Sequence, residues 1–177
     1  IVHGDIKLEN CLVDESNDGT SFNVLLSDFD LSRSAAAAAG ISGSVASFQT
    51  TRVGSGTPQY MAPEILATQS GATAQRATFA SDIYSFGCCV LNALVPMAPQ
   101  QMDQTTGVRS IPDAVQKSDP DLHALLQRVL VLDPAKRPTA MELLEDPVFN
   151  TEVLLEEAAL GRKKDQDRVL FVIRIMI

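Results

Sequence analysis

The sequence HGDIKLENCLV occupies residues 3–13, and SDFD follows it at residues 27–30. Between these two segments lies ESNDGT at residues 15–20, a turn-forming stretch with an Asp-Gly step, and a short apolar run flanks it on each side. This arrangement predicts a β-hairpin. Such a hairpin would bring the polar residues of the first segment close to those of the second.

Three further motifs follow in a fixed order: GTPQYMAPE at residues 56–64, SDIYSFG at residues 81–87 and LDPAKRPT at residues 132–139. Together with the first two segments, this order resembles eukaryotic-type serine/threonine protein kinases. The motifs correspond there to a catalytic loop, a metal-binding motif, a substrate-docking segment, a central helix and a closing helix turn. The resemblance covers about residues 1–149.

The resemblance implies a mainly α fold with a small β-hairpin, the C-terminal (large) lobe of the α+β protein kinase fold. The lobe would span residues 1–149, with the catalytic loop at 3–10 and the activation segment at 28–64. Residues 150–177 would form a C-terminal helix and an apolar tail. The lobe that grips ATP with a glycine-rich loop and a lysine–glutamate pair would lie upstream of this chain. We therefore expect a fragment that lacks its natural packing partner, the N-terminal lobe, and that is inactive alone.

The implied reaction is transfer of the γ-phosphoryl group of Mg-ATP to a serine or threonine of a protein substrate, with ATP and Mg²⁺ as cofactors. Such a transfer depends on positioning and charge neutralisation. Asp5 would accept the proton of the attacking hydroxyl, and Lys7 would place a cation on the transferred phosphoryl. Asn10 and Asp28 would bind the metal, since Mg²⁺ prefers hard oxygen ligands. Lys7, Asn10 and Asp28 are thus the predicted cofactor-binding residues.

Other residues have structural roles by the same resemblance. His3 would brace the catalytic loop, and Asp82 would accept hydrogen bonds from that loop's backbone. Glu64 and Arg137 would form a buried ion pair. Thr57 would contact the catalytic loop from the substrate-docking segment. Outside this ordered set, an Asp-x-Lys pair is more often a solvated surface feature, and a lone Asn is more often a turn residue.

Two positions depart from the family's pattern. Gly4 stands where an arginine that pairs with a phosphate in the activation segment is usual, so we expect phosphorylation of residues 32–57 not to be the main switch. Asp30 replaces a glycine that can take φ above zero at no cost, so we expect a modest backbone penalty there. Both favour a rival hypothesis, a pseudokinase or truncated lobe that acts as a binding or scaffold module without catalysis.

The amino-acid composition of the chain argues against some classes of function. The formal net charge is -8, which gives no electrostatic attraction to nucleic-acid phosphates. Three cysteines with no spaced framework indicate a reducing, intracellular compartment, the cytoplasm. Residues 169–177 read VLFVIRIMI, too short to span a membrane. We expect this tail to be a packed final element or the ragged end of a truncated product, with no membrane partner.

Helix signals dominate the second half of the chain. Residues 79–95 are apolar almost all round and predict a central buried helix. Asp119 followed by Pro120 predicts a helix start, and Thr139 with Glu142 predicts a capping box. Thr151 is a further candidate cap. Residues 32–57, with a run of alanines and many Ser and Thr, predict a low-complexity segment.

Overall fold

The computed structural model describes residues 1–15, 22–34, 57–69, 75–95 and 109–149. The predictions for the activation segment between residues 35 and 56, for Thr151 and for the apolar tail lie outside these ranges. The described chain is mostly helical with a two-stranded sheet, which confirms the predicted fold class.

The hairpin consists of β1 (Cys11–Glu15) and β2 (Phe22–Leu26), which pair antiparallel with Cys11 opposite Leu26. Its formation reflects the short β-prone runs on both sides of the Asp-Gly turn sequence. The register brings Asn10, just before β1, next to Ser27, just after β2, and the amide N–H of Ser27 donates to the Asn10 carbonyl at 2.8 Å. The hairpin therefore joins the two polar segments as predicted.

Five α-helices follow within the described residues: α1 (Pro63–Gln69), α2 (Phe79–Leu94), α3 (Asp113–Ser118), α4 (Pro120–Val129) and α5 (Ala140–Leu144). Two starts match the predicted caps. The Asp119 carboxylate accepts from the Leu122 N–H at 2.9 Å, and Thr139 and Glu142 form a reciprocal capping box. Side-chain caps of this kind satisfy N–H groups that have no partner inside the helix.

The core is built around α2. Its residues 86–91 are all buried, and they pack against leucines of α4 and against the segment that precedes α1. A Cβ added at Gly87 would lie 2.6 Å from a methyl carbon of Val129, so glycine allows α2 and α4 to approach closely. Among the helices of these described ranges, none is long and apolar enough to cross a lipid bilayer.

Candidate active site

The Asp5 carboxylate lies at the centre of the site. One oxygen accepts a hydrogen bond from the Lys7 ammonium at 2.6 Å and lies 3.4 Å from the Asn10 amide nitrogen. The other accepts from the Thr57 backbone N–H at 3.2 Å. The Asn10 amide also donates to the Asp5 carbonyl at 2.9 Å. The structure thus brings together four of the predicted residues: Asp5, Lys7, Asn10 and Thr57.

Lys7 and Asp5 form an ion pair that is mostly shielded from solvent, with side-chain exposures of 19% and 11%. The hydrogen bond from Lys7 to Asp5 raises the pKa of Lys7, and the nearby charges of Asp5 and Asp28 act in the same direction against the opposing effect of burial. Lys7 is therefore a fixed cation at neutral pH.

A carboxylate from α2 anchors the backbone next to Asp5. The two oxygens of Asp82 accept from the N–H groups of His3 at 2.7 Å and Gly4 at 3.0 Å. Burial raises the pKa of Asp82, although these two hydrogen bonds lower it. Gly4 itself has φ of +83°, and a Cβ there would lie 3.2 Å from the Leu31 carbonyl oxygen. The turn before Asp5 thus has a conformation that suits glycine.

The second polar segment is tied to the first through Ser27 and His3. The Ser27 hydroxyl and N–H both donate to the Asn10 carbonyl, at 2.9 and 2.8 Å. His3 is buried, its Nε2 lies 3.0 Å from the Ser27 carbonyl oxygen, and its ring centroid lies 4.8 Å from that of Phe29. Asp28 is the next residue after Ser27, so the chain enters it directly from the segment that is bonded to Asn10.

The expectation of a backbone penalty at Asp30 is wrong. Asp28 is the residue in the left-handed region, with φ of 62° and ψ of 69°, whereas Asp30 lies in the short 3₁₀ turn Phe29–Leu31 and does not have positive φ. Asp tolerates the left-handed region better than most residues. The physical reason for the difference is that the left-handed conformation lies at Asp28, the residue before the 3₁₀ turn, and Asp30 lies inside that turn.

Glu64 and Arg137 form a two-pronged ion pair across 73 residues of sequence, with nitrogen–oxygen distances of 2.7 and 2.8 Å. Arg137 is fully buried, with 0% side-chain exposure, and its guanidinium also donates to three backbone carbonyls at 2.9–3.0 Å. The guanidinium carbon lies 4.8 Å from the ring centroid of Tyr84. This pair ties the start of α1 to the segment before α5.

The substrate-docking segment is also fixed to α2. The Tyr60 hydroxyl accepts a hydrogen bond from the Asn92 side chain at 2.8 Å, and the Tyr60 N–H donates to the Thr57 carbonyl at 2.9 Å. Burial raises the pKa of Tyr60 to about 12. The phenol is thus neutral at physiological pH, and Thr57 is held where its N–H reaches Asp5.

Asn10 and Asp28 carry donor atoms of the type that a divalent cation accepts. The side-chain amide nitrogen of Asn10 donates to Asp5. The side-chain oxygen of Asn10 is therefore the atom that could bind a cation. Asp28 is exposed and provides a carboxylate. An amide oxygen and a carboxylate are ligands that Mg²⁺ accepts alongside phosphate oxygens and water.

Several residues that hold the site together were not predicted from the sequence. The positive φ of Gly4 was not predicted, although a glycine beside Asp5 was a possible signal. Ser27 and Asn92 were not identified as anchors, and no local pattern distinguishes them from other polar residues. The contact of Tyr84 with the Arg137 guanidinium was likewise missed, because it depends on the packing of two distant segments.

The site thus combines an Asp-x-Lys-x-x-Asn loop, which a helix carboxylate anchors, with a second aspartate that a hairpin joins to it. A family model described as protein kinase domain matches residues 1–149. The chain belongs to the protein kinase domain family.

Three relatives of this chain carry the names of protein kinases. The probable serine/threonine-protein kinase fhkE of Dictyostelium discoideum is 32% identical over 93% of this chain and 23% of its own length. Mitogen-activated protein kinase kinase kinase 2 of Arabidopsis thaliana is 35% identical over 83% of the chain and 21% of its own length. Serine/threonine-protein kinase SSK22 of Saccharomyces cerevisiae is 32% identical over 96% of the chain and 13% of its own length. The chain thus spans less than a quarter of each of these relatives.

Proposed function

We propose that this chain is the catalytic-loop lobe of a protein serine/threonine kinase, which transfers the γ-phosphoryl group of Mg-ATP to a hydroxyl of a protein substrate. The observation that carries the proposal is the environment of Asp5, whose carboxylate is held by the Lys7 ammonium and the Thr57 N–H. A carboxylate fixed in this way can orient a hydroxyl and accept its proton.

In the proposed step, the substrate hydroxyl oxygen forms a bond to the γ-phosphorus while the bond from phosphorus to the bridging oxygen breaks and ADP leaves. The hydroxyl proton passes to Asp5. Lys7 places its positive charge beside the transferred group, where charge develops in the transition state. Asn10 and Asp28 would hold Mg²⁺, which neutralises phosphate charge when it is bound.

The decisive experiment replaces Asp5 with Asn in a longer form of the protein that includes a nucleotide-binding lobe. Loss of general-base action is expected to lower the rate of phosphate transfer to an acceptor protein by about 10²–10⁴-fold. Asp121→Asn is the matched control, because Asp121 is exposed on α4 and far in sequence from the catalytic loop. Equal rates for both variants would refute the assignment of Asp5 as the base.

We also propose that a nucleotide-binding lobe packs on the hairpin. Leu12 and Leu25 are cross-strand partners and are 53% and 56% exposed, which leaves two adjacent apolar side chains on one face of the hairpin open to a partner surface. A fusion of this chain to the nucleotide-binding lobe of a relative such as SSK22 is expected to transfer phosphate, whereas the chain alone is expected to be inactive. Activity of the chain alone would contradict this part of the proposal.

A second candidate function is a pseudokinase or a truncated lobe that binds partners without catalysis. Gly4 and Asp30, which stand where the family's pattern has arginine and glycine, favour it. Magnesium-dependent binding of a nucleotide with no detectable transfer, in a form with both lobes, would support this alternative. Transfer that Asp5→Asn abolishes would exclude it.

We place this activity inside the cell, in the cytoplasm. The three cysteines are all free, and two of them, Cys88 and Cys89, are buried in the core. Burial raises the pKa of Cys89 well above its ordinary value, so this thiol is inert as well as unpaired. Free thiols of this kind are typical of a reducing compartment. Detection of the endogenous protein in a secreted or periplasmic fraction would contradict the proposed location.

A further inference from the structure

Asn92 is a half-buried polar residue near the end of α2. The residues on either side of it in the helix, from Phe86 to Leu94, are apolar or glycine. A polar side chain in such surroundings is usually hydrogen-bonded within the protein. The amide nitrogen of Asn92 donates to the Tyr60 hydroxyl at 2.8 Å, and this bond connects α2 to the substrate-docking segment.

The Tyr60 phenol is a junction between three parts of the chain. Its side chain is buried, with 3% exposure, so its hydroxyl depends on partners within the protein. Burial raises the pKa of Tyr60 to about 12, and hydrogen bonds from the Asn92 side chain and the Leu8 backbone oppose that rise. Leu8 lies in the loop that carries Asp5 and Lys7. The neutral phenol thus joins α2, the substrate-docking segment and that loop.

Two further hydrogen bonds connect Tyr60 with the Asp5 carboxylate. The Tyr60 N–H donates to the Thr57 carbonyl at 2.9 Å and closes the 3₁₀ turn Pro58–Tyr60. The turn begins with a proline, whose ring fixes φ and stiffens the connection. The Thr57 N–H then donates to one oxygen of Asp5 at 3.2 Å. The position of Tyr60 therefore determines where this donor to Asp5 lies.

The bond from Thr57 to Asp5 is sensitive to small displacements. Its length of 3.2 Å is near the upper end of the range for N–H···O hydrogen bonds. A shift of the 3₁₀ turn by roughly 0.5 Å would take the distance beyond that range. The carboxylate would keep the Lys7 ammonium on its other oxygen, at 2.6 Å, but would lose a donor that fixes its plane.

We infer that Asn92 is a positioning residue for phosphoryl transfer, because its hydrogen bond to Tyr60 keeps the Thr57 N–H on the Asp5 carboxylate. The inference rests on the proposed function, in which Asp5 is the base. Asn92 acts through Tyr60 and Thr57 rather than by contact with the reacting groups. Both Asn92 and the Tyr60 phenol are neutral, so the link between them does not depend on pH in the physiological range.

The first test follows the Thr57 amide in the 177-residue chain itself. Asn92→Leu removes the donor, and Gln127→Leu is the matched control, which makes a similar change at an exposed position of α4. Amide hydrogen exchange at Thr57 is expected to speed up about tenfold in Asn92→Leu only, as local protection is lost. Exchange at the buried Leu125 reports global unfolding. Unchanged exchange at Thr57, or an equal change at Thr57 and Leu125, would overturn the inference.

The second test measures transfer to an acceptor protein in a form with both lobes. Asn92→Leu is expected to lower kcat by about 10–10²-fold, since a small misplacement of a catalytic group is costly. The KM for Mg-ATP should stay unchanged, because the change acts on Asp5 and not on the proposed metal ligands. Tyr60→Phe should cause a similar loss, and the double variant should lose no more than either single variant. Losses that multiply would overturn the inference, since Asn92 would then act independently of the Tyr60 hydroxyl.

Comparison with Asp5→Asn separates this inference from the proposed function. If Asp5→Asn leaves transfer intact, the role of Asp5 as the base fails, and the catalytic part of the inference fails with it. Exchange at Thr57 would still show whether Asn92 holds that amide in place. If Asp5→Asn abolishes transfer while Asn92→Leu has the wild-type kcat, the proposed function stands and Asn92 is not a positioning residue.

Discussion

The Glu64–Arg137 pair provides a quantitative test of how the docking segment is held. The change Glu64→Gln keeps the size of the side chain and removes its charge. Arg137 would then be a guanidinium with 0% side-chain exposure and no anionic partner. Breaking one half of a buried ion pair costs about 3–5 kcal/mol. We expect the lower end, because three backbone carbonyls still accept hydrogen bonds from Arg137.

Urea denaturation followed by far-UV circular dichroism is the suitable assay, since the sequence contains no tryptophan. With an m-value of about 1–3 kcal/mol per molar urea, a loss of about 3 kcal/mol lowers the midpoint by about 1–3 M. Glu145→Gln is the control, because Glu145 is exposed and surface changes usually stay within about 0.5 kcal/mol. A loss below about 1 kcal/mol for Glu64→Gln would refute the reasoning.

The interaction energy between Glu64 and Arg137 can be measured with the double variant Glu64→Gln/Arg137→Met, by comparison with the two single variants. Each single change strands one charge, whereas the double change removes both. The double variant should therefore be more stable than the sum of the single losses predicts, by about 1–3 kcal/mol. A coupling energy below about 0.5 kcal/mol would mean that Glu64 and Arg137 contribute independently.

Three further perturbations test the catalytic loop and its surroundings. Gly4→Ala should cost about 1–2 kcal/mol in the free energy of unfolding, because φ of +83° is strained for residues with a Cβ; urea denaturation measures it. Asp82→Asn should cost about 1–3 kcal/mol by the same assay, because a donor replaces an acceptor opposite two N–H groups. Burial raises the pKa of Cys11 to about 11 and of Tyr60 to about 12 from ordinary values of 9.0 and 10.0. The folded protein holds these protons more tightly than the unfolded chain, so stability should be full below about pH 9 and fall toward pH 12.

Each of these expectations has a control or an outcome that would contradict it. Gln127→Ala, on an exposed position of α4, should leave stability nearly unchanged where Gly4→Ala lowers it. For Asp82→Asn, wild-type stability would show that the two N–H groups do not depend on the carboxylate. Cys11→Ser should make the alkaline loss smaller, and stability that rises between pH 9 and pH 12 would contradict the sign of the linkage.

Local elements of this fold were predictable because their signals are short in sequence. The hairpin follows from β-prone runs around an Asp-Gly turn, and the start of α4 follows from Asp119 and Pro120. The capping box of α5 is similarly contained within four residues. In each case the residues that determine the structure are close together in the sequence.

The candidate site was predictable only in part, because its geometry depends on distant partners. Asp5 and Asp28 were identified through the order of motifs, and their assignment as catalytic and metal-binding residues remains a prediction. The expectation at Asp30 failed because no local pattern shows which residue adopts the left-handed conformation. The role of Asn92 could not be predicted, since its hydrogen bond to Tyr60 depends on how α2 packs against the docking segment.

The long sequence separations in the site have a consequence for synthesis on the ribosome. The backbone of His3 is held by Asp82, which is 79 residues later, and Glu64 pairs with a residue 73 positions later. Closing such long loops carries an entropic cost before the contacts compensate for it. A nascent chain that has not yet reached Asp82 therefore cannot hold the loop around Asp5 in place, although that loop is synthesised before Asp82. Assembly of the site should consequently be among the last events of folding, after most of the lobe has left the ribosome.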